Sequence, residues 1–230
     1  MIFWCKNCLN VSTRPRIQFN QDGICNACIW VETKKIIDWN LRLEQLNQLL
    51  KDTRSKDKNK NSFDCIVPVS GGKDGSYVSY KLKHEFGANP LTVTIRPPLE
   101  REIGKSNLQN FIESGFEHIH VSPSRETMRQ IDKFGFINMG FPYLGWLTAM
   151  QATPVNLAVK LGISLIFYGE DGEVEYGGST NTISNPVYSP EYMKSVYLEG
   201  GYENALKNLK GDSFSKYFFT FPENTATLKI

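Results

Sequence analysis

Hydrophobic and polar positions fall into blocks whose character changes twice along this chain. Residues 33–50 carry Ile36, Ile37, Leu43, Leu46 and Leu50 near helical spacing, with Lys35, Arg42, Glu44 and Gln48 largely opposite, which predicts an amphipathic helix. Residues 51–62, KDTRSKDKNKNS, are polar and read as a solvated linker. From residue 63 the pattern becomes strands alternating with helices. Phe63 to Val69 is a short apolar strand, with Pro68 acceptable at a strand end or bulge. A helix follows Ser70-Gly71-Gly72, runs to about Phe86 and stops at Gly87. Leu91–Ile95, Glu117–Val121 and Ile163–Tyr168 are the further expected strands. Helices are expected over 105–114, 124–134 and 151–161, the last with Pro154 near its first turn, where proline is tolerated. The Gly- and aromatic-rich stretch 135–146 reads as irregular. This alternation implies an α/β fold, a mainly parallel sheet with right-handed crossovers and helices on both faces. Ligands of such sheets bind beyond the carboxyl ends of the strands, where Ser70 and Gly169 both lie.

Composition narrows the class. The 230 residues are 40% hydrophobic, enough for one substantial core and a small satellite module. A net charge of +2, from 26 basic and 24 acidic side chains, argues against a dedicated nucleic-acid surface. No apolar run reaches the roughly 18 residues of a membrane span. Met1-Ile2-Phe3-Trp4-Cys5-Lys6 lacks the pattern of a signal peptide, so a cytoplasmic location is expected. Reduced cysteines there favour metal binding over disulfides.

Four of the five cysteines lie in residues 1–32. Cys5-x-x-Cys8 and Cys25-x-x-Cys28, sixteen residues apart, match zinc-ribbon spacing. Four thiolates close a tetrahedron, so Zn²⁺ there would be structural; an iron–sulfur cluster is the alternative. Cys65, in the first strand, reads as core. The expected division is a four-cysteine module at 1–32, a helix and linker at 33–62, and a nucleotide-binding domain at 63–230.

Two glycine-rich segments carry candidate chemistry. Ser70-Gly71-Gly72-Lys73-Asp74-Gly75-Ser76 joins a strand to a helix. Its glycines let backbone N–H groups approach an anion, the helix N-terminus adds positive potential, and Lys73 adds a full charge. Ser70 and Ser76 offer hydroxyls, while Asp74 is suited to Mg²⁺ or to ordering the loop. The run is neither a Walker A loop nor Gly-x-Gly-x-x-Gly. The second segment, Gly169-Glu170-Asp171-Gly172-Glu173-Val174-Glu175-Tyr176-Gly177-Gly178, crowds four carboxylates and is expected to face the first as a Mg²⁺-pyrophosphate or substrate element. Glu173 and Glu175, taken singly, also suit a solvated acidic turn.

The first segment resembles the SGGxDS signature of PP-loop ATP pyrophosphatases, with Gly75 standing between Asp74 and Ser76. The ordered set of the four-cysteine module with Thr13-Arg14-Pro15, SGGKDGS, Asn107-Leu108-x-Asn110-Phe111, Gly115-Phe116-x-His118-Ile119-His120-Val121-Ser122-Pro123 and GEDGEVEYGG resembles the N-acetyl sugar amidotransferase family of surface-polysaccharide (O-antigen or lipopolysaccharide) biosynthesis, over roughly residues 1–190. That resemblance implies an adenine-nucleotide-hydrolase-like fold, ATP as cosubstrate, and conversion of a sugar acetamido group to acetamidino. Ammonia would come from a separate glutaminase subunit, and the substrate would be an N-acetylated nucleotide sugar. It implies phosphate contacts from residues 70–76 and Gly169, adenine beside Val93–Ile95 with Thr94 central, and catalytic roles for Lys73, Asp74 and Glu170. Family members continue beyond the point where this chain ends, so sugar contacts or the partner surface would lie in the missing part. A tRNA-modifying thiolase of the PP-loop class and an inactive ATP-binding partner subunit are the rival readings.

Outside these motifs, His118 and His120 share one side of the third strand, either a candidate proton shuttle and His118 first of all a half-buried strand residue. Arg96 suits phosphate, a sugar carboxylate or a surface ion pair. Tyr143 and Trp146 suit sugar stacking or the core.

Overall fold

The computed structural model describes residues 1–56, 63–183, 187–210, 215–225 and 228–230. Its helices are α1 (Asn26–Thr33), α2 (Trp39–Lys56), α3 (Lys73–His84), α4 (Glu102–Glu113), α5 (Arg125–Met139), α6 (Leu144–Leu161) and α7 (Gly172–Tyr176), followed by short turns of helix between Pro190 and Phe219. Three strands, β1 (Cys65–Pro68), β2 (Pro90–Ile95) and β3 (His118–Val121), form a parallel sheet in that order. The fold is therefore α/β with a parallel sheet. The chain forms two compact units, residues 1–49 with 170–187, and residues 50–169 with 188–230.

In the larger unit, parallel pairing sets Ile66 beside Leu91 and Val93 beside Ile119. β2 is buried on both faces, as a central parallel strand flanked by helices should be. Ile66, Val93, Ile131, Leu144, Val155, Met193, Leu198 and Phe219 form one apolar core. The expected fourth strand is reduced to two bridges. Ile66 N–H donates to Leu165 O (2.9 Å) and Phe167 N–H to Ile66 O (2.9 Å), while Ile166 N–H donates to Lys229 O (2.9 Å). The sheet thus continues past β1 through residues 165–167 and 229. Pro68 closes β1, so its missing donor costs no interior ladder bond.

Three expectations about helices need correction. The stretch expected to be irregular at 135–146 is mostly helical: α5 runs on to Met139, Gly140 caps it at φ 67°, and α6 begins at Leu144. Gly135 sits inside α5, where a Cβ would collide with Phe141 O and Leu144; close helix packing, not flexibility, explains this glycine. α6 also starts seven residues before its expected start at 151, leaving Pro154 deep in its interior. An interior proline costs about 3 kcal/mol. α6 is buried along most of its length, and Asn156 Nδ2 ties it to Tyr217 O and Thr220 O, so tertiary packing overrides the local cost.

The helix expected at 33–50 lies at 39–56 instead, and it overruns the expected linker. Arg54 explains the overrun: it donates to both Asp64 oxygens (3.2 and 3.0 Å) and to Gly87 O (2.6 Å). Residues 57–62 of that linker lie outside the described residues. Of the expected apolar stripe only Leu50 is buried; Leu43 and Ile36 are exposed.

The smaller unit has little apolar core. Cys5, Cys25 and Ala27 are buried, packed by Cys8, Ile17, Phe19, Ile24 and Cys28. So small a core cannot by itself offset the entropy of ordering the unit, which is the situation structural metals serve.

Candidate functional site

The loop Ser70–Ser76 leaves the carboxyl end of β1 and becomes α3. Gly71 adopts φ 77°, a left-handed conformation that L side chains rarely take. A Cβ there would lie 2.5 Å from Leu108 N and 3.0 Å from Asn107 C, so α4 packs directly on the turn. The Asn107-Leu108 motif noted in the sequence therefore belongs to the wall of this loop. On the other side, a Cβ at Gly169 would lie 2.8 Å from both Asp74 C and Gly75 N. Gly71 and Gly169 thus clamp the loop by backbone contact.

The N–H groups of Ser70, Gly71 and Gly72 have no hydrogen-bond acceptor among the described residues. Ser70 and Gly72 are exposed and Gly71 partly so, which suits these donors to an anion. Asp74 and Ser76 occupy the first turn of the twelve-residue α3. Lys73 is 87% exposed at its side chain, and its Nζ lies 2.5 Å from Asp74 Oδ1. The lysine charge thus sits at the mouth of the loop with a carboxylate beside it. Thr94 is different: its hydroxyl is buried and donates to Val69 O (2.6 Å), tying β2 to the strand that enters the loop. Its backbone lies in the β2–β3 ladder opposite His120.

β3 places His118 and His120 on one side, ring centroids 6.3 Å apart. His118 Nδ1 lies 2.9 Å from the Thr92 hydroxyl, and its Nε2 is buried without a partner among the described residues. Burial, aided by the His120 charge, lowers the His118 pKa from 6.5 to about 4, so the ring is neutral at pH 7. Arg96 is held by Glu100 (2.8 Å), which makes it an ion-pair residue. Tyr143 is exposed, and Trp146 packs against the core. Burial pushes the Cys65 thiol up to about 12, which fits an inert core residue.

In the smaller unit, the sulfurs of Cys5, Cys8, Cys25 and Cys28 all lie within 4.8 Å of one another. Cys8 and Cys25 are 3.6 Å apart, Cys5 and Cys28 3.9 Å. A metal–sulfur bond of about 2.3 Å in a tetrahedron demands sulfur separations of about 3.8 Å, so the residues fit one four-coordinate ion. Asn7 N–H and Cys25 N–H donate to Cys5 Sγ (3.4 and 3.2 Å), and Asn10 N–H donates to Cys8 Sγ (3.4 Å). Burial opposes ionisation of Cys5, but the backbone donors hold its thiol down at about 6. Asn10 N–H favours the Cys8 thiolate as well, yet burial and the neighbouring sulfurs push Cys8 up to about 12. The Cys5 thiolate is favoured in advance, whereas those of Cys8 and Cys28 need a cation.

Two carboxylates of the acidic segment, Glu173 and Asp171, are engaged within the fold, while Glu170 and Glu175 are exposed. Glu173 is buried and accepts two bonds from Arg16, Nε at 2.9 Å and Nη2 at 2.8 Å, as well as Ser179 N–H at 2.6 Å. Burial raises the Glu173 pKa, but Arg16 and the Ser179 N–H outweigh it and hold the carboxyl below its usual range. This corrects the reading of Glu173 as part of a solvated turn. Asp171 caps α7 through Val174 N–H (3.3 Å) and accepts the Thr182 hydroxyl (2.5 Å). Glu170 is exposed and accepts the Tyr176 hydroxyl (3.1 Å). Arg16, Asn10 and Asn26, all in the N-terminal region, went unnoticed in the sequence; only the adjacent Thr13-Arg14-Pro15 signalled that loop.

No protein-family model matches the chain, and no curated protein matches it. Among solved structures it is similar to NMN synthetase from Francisella tularensis, at 15% identity and TM-score 0.36, covering 56% of this chain and 55% of that one. It is also similar to an NH3-dependent NAD synthetase from Campylobacter jejuni, at 12% identity and TM-score 0.44, covering 81% and 99%. A third is the U34-tRNA thiolase NcsA from Methanococcus maripaludis, which holds an iron–sulfur cluster, at 16% identity and TM-score 0.39, covering 74% and 55%. The chain thus spans about half the length of two of these three structures.

Proposed function

We propose that this protein is an ATP-dependent, AMP-forming amidotransferase that converts an acetamido group on a nucleotide sugar to acetamidino. The observation that carries the reading is the loop at 70–76: a strand-to-helix turn, clamped by glycine backbone contacts, with N–H groups at Ser70, Gly71 and Gly72 that have no acceptor among the described residues and a lysine at its mouth. Those donors suit the phosphates of ATP, with Ser76 and the α3 N-terminus completing the cradle and adenine lying along the β2 backbone at Thr94. The motif order described above selects the sugar class.

In this reading the acetamido oxygen attacks the α-phosphorus and pyrophosphate leaves. Lys73 and the loop N–H groups stabilise the charge that develops on the leaving phosphates. Asp74, in the first turn of α3, would hold Mg²⁺, and Glu170 is a separate candidate carboxylate. The product is an O-adenylated imidate. Ammonia from a partner glutaminase adds at its carbon, AMP departs with the oxygen, and the amidine remains. The four cysteines hold structural Zn²⁺.

Product analysis tests this. The full chain is incubated with ATP, Mg²⁺, ammonium and a panel of diacetamido nucleotide sugars. Sugar-dependent AMP with replacement of one oxygen by NH is the expected result. AMP that depends on tRNA and a sulfur donor would place the protein among thiolases, and ATP binding without AMP would make it a non-catalytic subunit.

A further inference from the structure

The four-cysteine centre and the acidic segment are joined by two asparagines, and Asn10 does most of the joining. Its N–H donates to Cys8 Sγ (3.4 Å), and its carbonyl accepts Cys5 N–H (2.8 Å). Its side-chain amide has two donor hydrogens, and Nδ2 has two acceptors, Cys25 Sγ at 3.6 Å and Tyr176 O at 3.2 Å. One residue therefore touches three of the four cysteines and the C-terminal end of α7. Asn26, which follows Cys25 in the chain, donates from Nδ2 to Gly178 O at 2.8 Å.

The glycine pair that ends GEDGEVEYGG records the same docking. Gly177 turns the chain at φ 86°, and a Cβ there would meet Asn26 Oδ1 at 3.1 Å and Asn10 Nδ2 at 3.3 Å. A Cβ at Gly178 would collide with the Glu173 carboxylate. That carboxylate is the one gripped by Arg16, which lies in the loop between the two cysteine pairs and holds φ 61°, a conformation costly for a non-glycine residue. Both ends of the loop are set by metal-ligand pairs, so its shape depends on the centre being closed.

We propose that closure of the four-cysteine centre by its metal positions residues 171–179, with Asn10 and Asn26 as the positioning residues. The centre is then a clamp on the acidic segment as well as a staple for its own module. This inference stands independently of the substrate: it concerns order within one compact unit and holds whichever reaction the protein performs.

Amide hydrogen exchange on the full chain tests it, comparing Zn²⁺-loaded protein with protein stripped by a chelator. Stripping should speed exchange of peptides spanning 172–180 roughly tenfold or more, while a peptide covering β2 keeps its protection. Asn26→Ala removes the bond to Gly178 O without touching a sulfur. It should retain one metal per chain, measured by elemental analysis, and still speed exchange at Gly178 and Ser179 by about 2- to 10-fold. Equal exchange of 172–180 in loaded and stripped protein would overturn the proposal. If stripping unfolds the whole chain, the metal-loaded Asn26→Ala variant decides: faster exchange supports the clamp, and unchanged exchange refutes it.

Discussion

Two glycine-rich segments look alike in sequence and differ in what they leave unpaired. In SGGKDGS Gly71 lets the loop pack on α4 and Gly169 packs on its other side, while the N–H groups of Ser70, Gly71 and Gly72 have no acceptor among the described residues. In GEDGEVEYGG Gly177 lets the segment pack on Asn10 and Asn26 of the cysteine module, and the carboxylates of Glu173 and Asp171 are already bonded to Arg16, Ser179, Val174 and Thr182. One segment has donors awaiting an anion. The other has committed two of its four carboxylates to its own architecture. Glycine and charge together therefore do not identify a ligand site; unsatisfied polar groups on a rigid frame do.

The contrast is sharpened first at Lys73. Lys73→Ala should lower AMP formation by about 10²- to 10³-fold, the size of losing one electrostatic contact to a transition state. Its side chain is 87% exposed, so the melting temperature should hardly move. Gly71→Ala should act on both activity and stability. The left-handed φ and the collision with Leu108 together cost about 2–4 kcal/mol, readable in urea unfolding.

Substitutions in the acidic segment should show the reverse pattern. Glu173→Ala strands the Arg16 guanidinium and the Ser179 N–H. Removing one partner of a fully buried pair costs about 3–5 kcal/mol, and partial exposure of Arg16 reduces the expectation to about 1–3 kcal/mol. Glu170→Ala, at an exposed side chain, should leave stability within about 0.5 kcal/mol and lower only the Mg²⁺-dependent rate. If Glu173→Ala were instead silent in stability and severe in kcat, the division between the two segments would fail.

The smallest effect is a pH dependence at His118. Its folded pKa, about 4, lies below the ordinary 6.5, so the unfolded chain binds more protons between those values. The contribution of the neutral ring is fully present above about pH 6.5 and declines as pH falls towards 4. His118→Asn, which keeps a polar group near the Thr92 hydroxyl, should flatten the stability profile over that window.

Strand–helix alternation made the parallel sheet legible, because a buried strand must be apolar and a glycine-rich turn must follow it. The cysteine spacing was legible for the same reason: tetrahedral ligation fixes Cys-x-x-Cys pairs. Pro154 was not, since local propensity argues against an interior proline and only the packing of α6 on residues 217–220 reverses that. The partner of Glu173 was not either. Arg16 is 157 positions away, and long-range pairing leaves no periodic trace in sequence. Leu108 lies between: its motif was visible, and its backbone contact with Gly71 was not.

The most direct test of the central claim follows backbone amide signals in isotope-labelled protein as ATP and Mg²⁺ are added. The account predicts large shifts at Ser70, Gly71 and Gly72, whose N–H groups gain phosphate acceptors, and small ones at Gly178 and Ser179, already bonded to Glu173. Unmoved signals at 70–72, or shifts confined to 170–179, would contradict it.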